Sequence, residues 1–128
     1  MLNRKGDDQL MMTDAYRMLY EIEVGLRECA EEIMNKHHGP LWRRKLDEER
    51  KEHFYHTLSL FGKYEQLKAF FTSPERSRLY KLIPIRNKVC HMKLLSIEEY
   101  DFLVSCYSVV TSSLDDYISS AQSAMSPT

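Results

Sequence analysis

Residues 12–33 read MTDAYRMLYEIEVGLRECAEEI, and their apolar side chains recur at alternating spacings of three and four residues. That spacing places an apolar stripe along one side of a helix. The stripe consists of Met12, Ala15, Leu19, Ile22, Leu26, Cys29 and Ile33. We predict a long first helix that begins near Thr13 or Asp14 as its cap. Gly39 and Pro40 end it, because glycine favours the left-handed position after a helix and proline cannot continue one.

The same periodicity returns at the other end of the chain. Ser96-Ile97-Glu98-Glu99 has the form of a capping box, in which the serine and the second glutamate each bond the other's backbone N–H. Behind it the three-four spacing is carried by Tyr100, Leu103, Tyr107, Val110, Leu114, Tyr117 and Ala121. This pattern predicts a long last helix.

The middle of the chain predicts shorter helices. Residues 41–53 are strongly charged and indicate a short, mostly solvated helix. Ser73 as cap, with Pro74 in the first turn, predicts a further helix that Pro84 kinks. Between these segments a helical apolar face is formed by Leu58, Phe61, Tyr64, Leu67, Phe70 and Phe71. Without strand-like alternation, an internal repeat or a Gly-rich phosphate loop, the predicted fold is all-α, a four- to five-helix bundle.

Length and composition indicate one globular domain. The chain has 128 residues, and we expect a single domain over residues 1–122 with a frayed tail over 123–128. No stretch approaches the roughly 18 to 20 apolar residues that span a bilayer, and the polar N-terminus lacks a secretory segment, so we expect a soluble cytoplasmic protein without membrane contact. The three cysteines, Cys29, Cys90 and Cys106, are predicted to be reduced, buried thiols.

Charge is distributed unevenly although the net charge is −1. Residues 76–93 contain six basic side chains and no acidic one, whereas residues 94–128 contain five acidic side chains and no basic one. The basic segment includes the hexapeptide Arg86-Asn87-Lys88-Val89-Cys90-His91. A nucleic-acid partner is therefore compatible with the sequence in spite of the net charge.

The hexapeptide combines side chains suited to phosphate chemistry. An arginine can bind two phosphate oxygens, and a histidine can move protons near neutral pH. On a regular helix Asn87 and His91 share a face, whereas Arg86 and His91 lie about 140° apart. One copy is therefore incomplete unless the backbone bends or a second chain contributes. A structural alternative remains, in which Arg86 pairs with a carboxylate, His91 fills a partly buried gap and Asn87 terminates a helix.

The hexapeptide resembles the signature of the HEPN superfamily (higher eukaryotes and prokaryotes nucleotide-binding), which is written R-N-x-x-x-H. Residues 79–103, LYKLIPIRNKVCHMKLLSIEEYDFL, are similar to the family's motif helix, short loop and final helix. Residues 18–33, MLYEIEVGLRECAEEI, are similar to its first helix. The resemblance covers most of the chain. It implies a HEPN-like helical domain that forms a homodimer, in which Arg86 and His91 of both chains line one cleft.

The resemblance also implies a metal-independent endoribonuclease without a cofactor, in which the 2′-hydroxyl attacks the adjacent phosphorus. The roles it suggests are His91 as general base or acid, Arg86 as stabiliser of the phosphorane, and Asn87 as an orienting group. Flanking RNA phosphates are expected to bind a basic set made up of Lys88, Lys93, Arg78 and Lys81. The family's roles suggest a toxin or an antiviral-defence effector, with an antitoxin or a sensor as a further partner.

Two positions refine this expectation. Family members that pair with a nucleotidyltransferase antitoxin carry a tyrosine two residues after the motif histidine, and here that position is Lys93. The family often keeps an acidic residue on its first helix, for which Glu23 is the candidate; the alternative is a surface ion pair between Glu23 and Arg27.

Other assignments stay open. His53 and His56 are three apart, but no cysteine or carboxylate set completes a metal site, so we expect no metal. The alternative functions are a non-catalytic HEPN-like module that binds RNA or nucleotide or mediates assembly, and a plain helical dimerisation domain.

Overall fold

The protein is all-helical over the residues that its computed structural model describes, which are 2–40, 42 and 53–125. In chain order the helices of these residues are α1 (Leu2–His38), α2 (His53–Lys63), α3 (Glu65–Lys68), α4 (Ser73–Tyr80), α5 (Leu82–Cys90) and α6 (Ile97–Met125). Five of them have eight or more residues, and α3 is a single turn. The predicted all-α class is confirmed. The predicted helix over 41–53 falls almost entirely outside the described residues, as does the end of the predicted tail, 126–128.

The two long helices α1 and α6 form the main packing pair. The predicted stripe of α1 is buried, apart from the partly buried Met12, and α6 buries Leu103, Cys106 and Val110 against it. At the crossing, a Cβ added to Gly25 would lie 2.9 Å from Cδ1 of Leu114, so the glycine allows the close approach. Among the described helices, none is long and apolar enough to cross a membrane.

The start of α1 corrects the prediction that Thr13 or Asp14 caps it, because the helix runs on to Leu2. Both side chains bond elsewhere: Thr13 donates its hydroxyl to the Gln9 carbonyl, and Asp14 accepts from the Tyr100 hydroxyl at 2.6 Å. The predicted end is confirmed. Gly39 takes a φ of +84° and donates its N–H to the Asn35 carbonyl at 2.9 Å.

The helix boundaries in the middle of the chain differ from the predictions by a few residues. The cap of α4 is Thr72 rather than Ser73, because Glu75 completes a reciprocal capping box with Thr72. The break expected at Pro84 lies at Lys81, between α4 and α5. Pro84 instead occupies the first turn of α5, where its missing N–H is tolerated.

The apolar face predicted over residues 58–71 is buried apart from the partly buried Tyr64 and Phe70, and it is divided between α2, α3 and the turns beside them. The fully buried side chains of the short helices include Phe61, Leu67, Leu79 and Leu82. The capping box at the start of α6 is confirmed, with Ser96 N–H donating to Glu99 at 2.9 Å and Glu99 N–H donating to Ser96 at 3.1 Å. The helix α5 contacts both α1 and α6, and these contacts fix its position between the two long helices.

The cysteines separate into two classes. Cys29 and Cys106 are buried as predicted, and burial raises the pKa of both thiols, that of Cys29 to about 12. The prediction that Cys90 is also buried is wrong, because the last residue of α5 faces solvent.

Candidate functional site

The hexapeptide lies on α5 without a bend between its arginine and its histidine. Residues 86–90 are helical, and His91, the C-cap, donates its N–H to the Asn87 carbonyl at 3.1 Å. Arg86 and His91 therefore keep the angle of about 140° that five helical steps give. The backbone does not bend over this stretch, so a bend does not bring Arg86 and His91 of one chain together.

Arg86 is anchored by Glu23 across the contact between α1 and α5. The Arg86 Nε donates to Glu23 Oε1 at 2.5 Å, and the two side chains are 32% and 22% exposed. This hydrogen bond raises the pKa of Arg86. Within the described residues Glu23 therefore forms its ion pair with Arg86 and not with Arg27. The other two nitrogens of the guanidinium, Nη1 and Nη2, have no hydrogen-bond partner among these residues. One edge of the guanidinium is fixed while the other can receive an anion.

The anchored guanidinium borders a small pocket between α1 and α5. Its volume is about 180 Å³, and it is lined by Tyr16, Leu19, Tyr20, Glu23, Arg86, Val89 and Cys90. A larger apolar groove of about 590 Å³ adjoins it, since both include Tyr16 and Val89 in their walls. The groove is completed by Gln9, Met12, Thr13 and Met92. Arg86 therefore lies at a concave surface, where a ligand can be enclosed.

His91 stands at the solvent-exposed end of α5. The chain turns away directly after it: Met92 takes a φ of +58°, Met92 N–H donates to Val89 O, and Lys93 N–H donates to Lys88 O at 2.8 Å. These two bonds form a Schellman motif, which usually uses glycine where Met92 stands. The helix end is made by backbone bonds, so Asn87 does not terminate it with its side chain. His91 does not fill a buried gap either, because its side chain is exposed, as is that of Asn87.

Two of the four predicted phosphate-binding residues make contacts away from Arg86. Lys88 pairs with Glu99 at 2.7 Å, which lowers the pKa of that carboxylate. Arg78 faces α6, where it donates to Ser105 Oγ at 2.5 Å, whereas Arg86 faces α1. Lys81 and Lys93 are exposed and have no ion-pair partner in the part of the chain that the structure describes. The ammonium groups of these two lysines are therefore available to a ligand.

Two tyrosines of the pocket were not among the predicted site residues. Tyr16 and Tyr20 are four residues apart on α1 and lie off its buried stripe. Their rings stack with centroids 6.4 Å apart, and they are 62% and 57% exposed. The available signal was the placement of two large aromatic rings on the polar side of an amphipathic helix.

Comparison with known proteins gives no match, since no family model fits the chain and neither a curated protein nor a solved structure is similar to it. A HEPN-type function is therefore a proposal that rests on the resemblance of the hexapeptide to the HEPN signature.

Proposed function

We propose that the protein is a metal-independent endoribonuclease of HEPN type that acts as a homodimer. The observation that carries this proposal is the state of the hexapeptide. Arg86 is anchored at one edge by Glu23 with its Nη groups free among the described residues, while His91 is exposed on the same unbent helix. A site that needs both side chains is completed most simply when a second copy supplies the missing half.

The reaction proposed is an internal transesterification. One imidazole takes the proton of the 2′-hydroxyl, whose oxygen forms a bond to the adjacent phosphorus. The bond from phosphorus to the 5′-oxygen breaks, and a second proton donor protonates that oxygen. The products are a 2′,3′-cyclic phosphate and a 5′-hydroxyl. The two His91 side chains of a dimer can divide the roles of base and acid.

The remaining residues of the hexapeptide take supporting roles in this proposal. The Nη groups of Arg86 donate to the non-bridging oxygens, where negative charge grows in the transition state. Asn87 shares the face of His91 on α5 and can orient the phosphate beside it. Lys93 and Lys81 add flanking phosphate contacts because both ammonium groups are exposed.

A surface suited to a second copy follows the hexapeptide. Met92, Leu94 and Ile97 are large apolar side chains that are 92%, 53% and 71% exposed. Exposed apolar clusters of this kind often mark protein interfaces. A two-fold dimer brings the same patch of each chain together, so residues beside the patch on one chain face those on the other.

The test is incubation of purified protein with structured and unstructured RNA in EDTA, with analysis of cleavage and of end chemistry. We expect wild type to cut and to leave cyclic phosphates. His91→Ala should lose about 100-fold or more in rate, as removal of a general acid or base does. His37→Ala is the matched control, since His37 is an exposed histidine at the end of α1. Circular dichroism and light scattering check folding and dimer mass.

Mixing inactive variants tests the composite site. Arg86→Ala and His91→Ala are each expected to be inactive. A heterodimer of the two carries one intact arginine and one intact histidine, so the mixture should regain part of the wild-type activity if the site combines residues of two chains. A mixture that stays inactive while heterodimers form would contradict a site in which one Arg86 and the His91 of the other chain are sufficient.

The second candidate function is a non-catalytic module that binds RNA or nucleotide. It is favoured by the exposure of His91, which has no partner among the described residues to orient its ring. This function predicts no cleavage by any variant and unchanged RNA affinity in His91→Ala, with weaker binding in Arg86→Ala. The roles as a toxin or an antiviral effector, with an antitoxin or sensor partner, extend the ribonuclease proposal; toxicity on expression that either substitution relieves would support them.

A further inference from the structure

The pocket beside Arg86 has two aromatic walls that the hexapeptide does not explain. Tyr16 and Tyr20 lie one helical turn apart on α1, with their ring planes inclined by 26°. More than half of each side chain is exposed. Rings placed for core packing would be buried, as Phe61 and Phe71 are.

We propose that Tyr16 and Tyr20 form a stacking platform for a nucleobase of single-stranded RNA, next to the phosphate that Arg86 binds. The proposal rests on the proposed function, in that the phosphate is taken to bind at the free edge of the guanidinium. A nucleotide carries a planar base and an anionic phosphate at a short, fixed distance. The pocket offers two aromatic rings and the guanidinium of Arg86, whose pairing with Glu23 through Nε leaves the Nη edge for a phosphate.

The size of the pocket fits one planar group. Its volume of about 180 Å³ is smaller than the roughly 300–1,000 Å³ of sites that enclose a whole small molecule. Aromatic side chains bind unpaired bases by stacking, which tolerates any sequence because every base has a π-face. We therefore expect a substrate with at least one unstacked base and little preference for its identity.

Charge favours RNA over a second copy of the chain as the occupant. Apart from arginine, charged side chains such as glutamate are depleted in the cores of protein interfaces. Here the rings adjoin the Glu23–Arg86 ion pair, and the available guanidinium edge calls for an anion. The exposed apolar side chains of Met92, Leu94 and Ile97 lie outside the pocket that contains this ion pair and suit a protein contact better.

The test measures binding without cleavage. The probe is a fluorescent single-stranded 2′-O-methyl RNA, which lacks the attacking hydroxyl, and its binding is followed by anisotropy. Tyr16→Phe and Tyr20→Phe keep a ring and should bind within about twofold of wild type. Tyr16→Leu and Tyr20→Leu keep apolar bulk without a π-face and should bind about 5- to 150-fold more weakly, the range for loss of a stacked base. Tyr55→Leu, at an exposed tyrosine of α2, is the matched control and should bind as wild type does.

A second probe with the same number of phosphates but abasic sugars isolates the base. We expect the leucine variants and wild type to bind it equally. Equal binding of the base-containing probe by leucine variants and wild type, or no binding by wild type, overturns the platform. Loss of dimer mass in the leucine variants, with affinity restored at high protein concentration, would assign the rings to a protein interface instead.

The outcomes separate this inference from the proposed function. If wild type binds the base-containing probe through the rings but cuts no RNA, the platform stands and the ribonuclease proposal fails. If wild type cuts RNA and the leucine variants cut it with unchanged KM and kcat, the ribonuclease proposal stands and the platform fails.

Discussion

The ion pair between Glu23 and Arg86 joins α1 to α5, and its contribution to stability can be measured by a double-mutant cycle. We choose Glu23→Gln and Arg86→Met because each keeps most of the side-chain volume while removing the charge. The difference between the double substitution and the sum of the single ones gives the coupling free energy of the pair.

The expected size of the coupling follows from the burial of the pair. Exposed ion pairs contribute about 0.2–1 kcal/mol, and breaking a buried pair costs about 3–5 kcal/mol. The side chains of Arg86 and Glu23 are 32% and 22% exposed, and the pair has a direct hydrogen bond at 2.5 Å. The pair lies between the two limits, nearer the exposed one because solvent still screens it. We expect a coupling of about 1–2 kcal/mol.

The assay is urea unfolding followed by circular dichroism, repeated at two protein concentrations because association would add to apparent stability. The chain supplies a matched control in Glu65 and Lys68, an i, i+3 pair at 3.3 Å whose side chains are 87% and 40% exposed. The control cycle, Glu65→Gln with Lys68→Met, should give less than about 0.5 kcal/mol. Added salt should reduce the coupling of the control pair by the larger fraction.

A coupling for Glu23 and Arg86 no larger than that of the control pair would refute the reasoning. So would an Arg86→Met variant that is as stable as wild type, because the carboxylate left behind in a partly buried position should cost free energy. Either result would mean that the guanidinium is not anchored to α1 by this contact.

Three further features give predictions of their own. Met92→Gly should raise the free energy of unfolding, measured by urea denaturation, by about 0.5–1 kcal/mol. The left-handed backbone at φ +58° costs an L-residue about 1–2 kcal/mol, and the larger conformational entropy of glycine in the unfolded chain offsets part of that gain. A thiol reagent at mildly alkaline pH should label Cys90 alone in the folded protein, because burial raises the pKa of Cys29 to about 12; labelling of all thiols without denaturant would contradict this. The hydrogen bond from Tyr100 lowers the pKa of Asp14, so stability should fall as the pH drops below about 4. Unfolding midpoints of Tyr100→Phe should fall less steeply over the same range.

The long helices could be predicted from the sequence because burial of one face leaves a 3.6-residue period. The end of α1 at Gly39 and the start of α6 at Ser96 were readable for a local reason, since each depends on side chains within a few residues. The start of α1 was not. Residues 2–11 continue the helix with a mainly polar sequence. A part of a helix that extends beyond the core buries no face, so its sequence has no apolar periodicity from which it could be predicted.

The boundaries around α4 show how local signals compete. Thr72 and Ser73 are both good caps, and Glu75, three residues after Thr72, decides between them through the capping box. That signal was present in the sequence. The break at Lys81 has no comparable local mark, because a proline in a first turn is compatible with a straight helix and the break depends on how α4 and α5 pack.

The candidate site was predictable only in part. The angle between Arg86 and His91 follows from their spacing on a regular helix, and residues 86–90 are helical. The contact of Arg86 with Glu23 joins residues 63 apart in the chain, and no periodic pattern encodes such a contact. The pairing of Lys88 with Glu99 is likewise tertiary, and it removes a predicted phosphate ligand from the available basic side chains.

The state of these side chains argues for a functional unit larger than one chain. Arg86 is held against α1 and opens onto a pocket, whereas Asn87 and His91 face solvent at the end of the same helix. A histidine that moves protons needs a group that positions its ring, and the described residues of one chain supply none. In the proposed ribonuclease, the substrate or a second chain provides that group. Because the proposed dimer would place the free edge of one Arg86 and the exposed His91 of the other chain in one cleft, we expect recovery of activity in mixed variants to be the most discriminating single result.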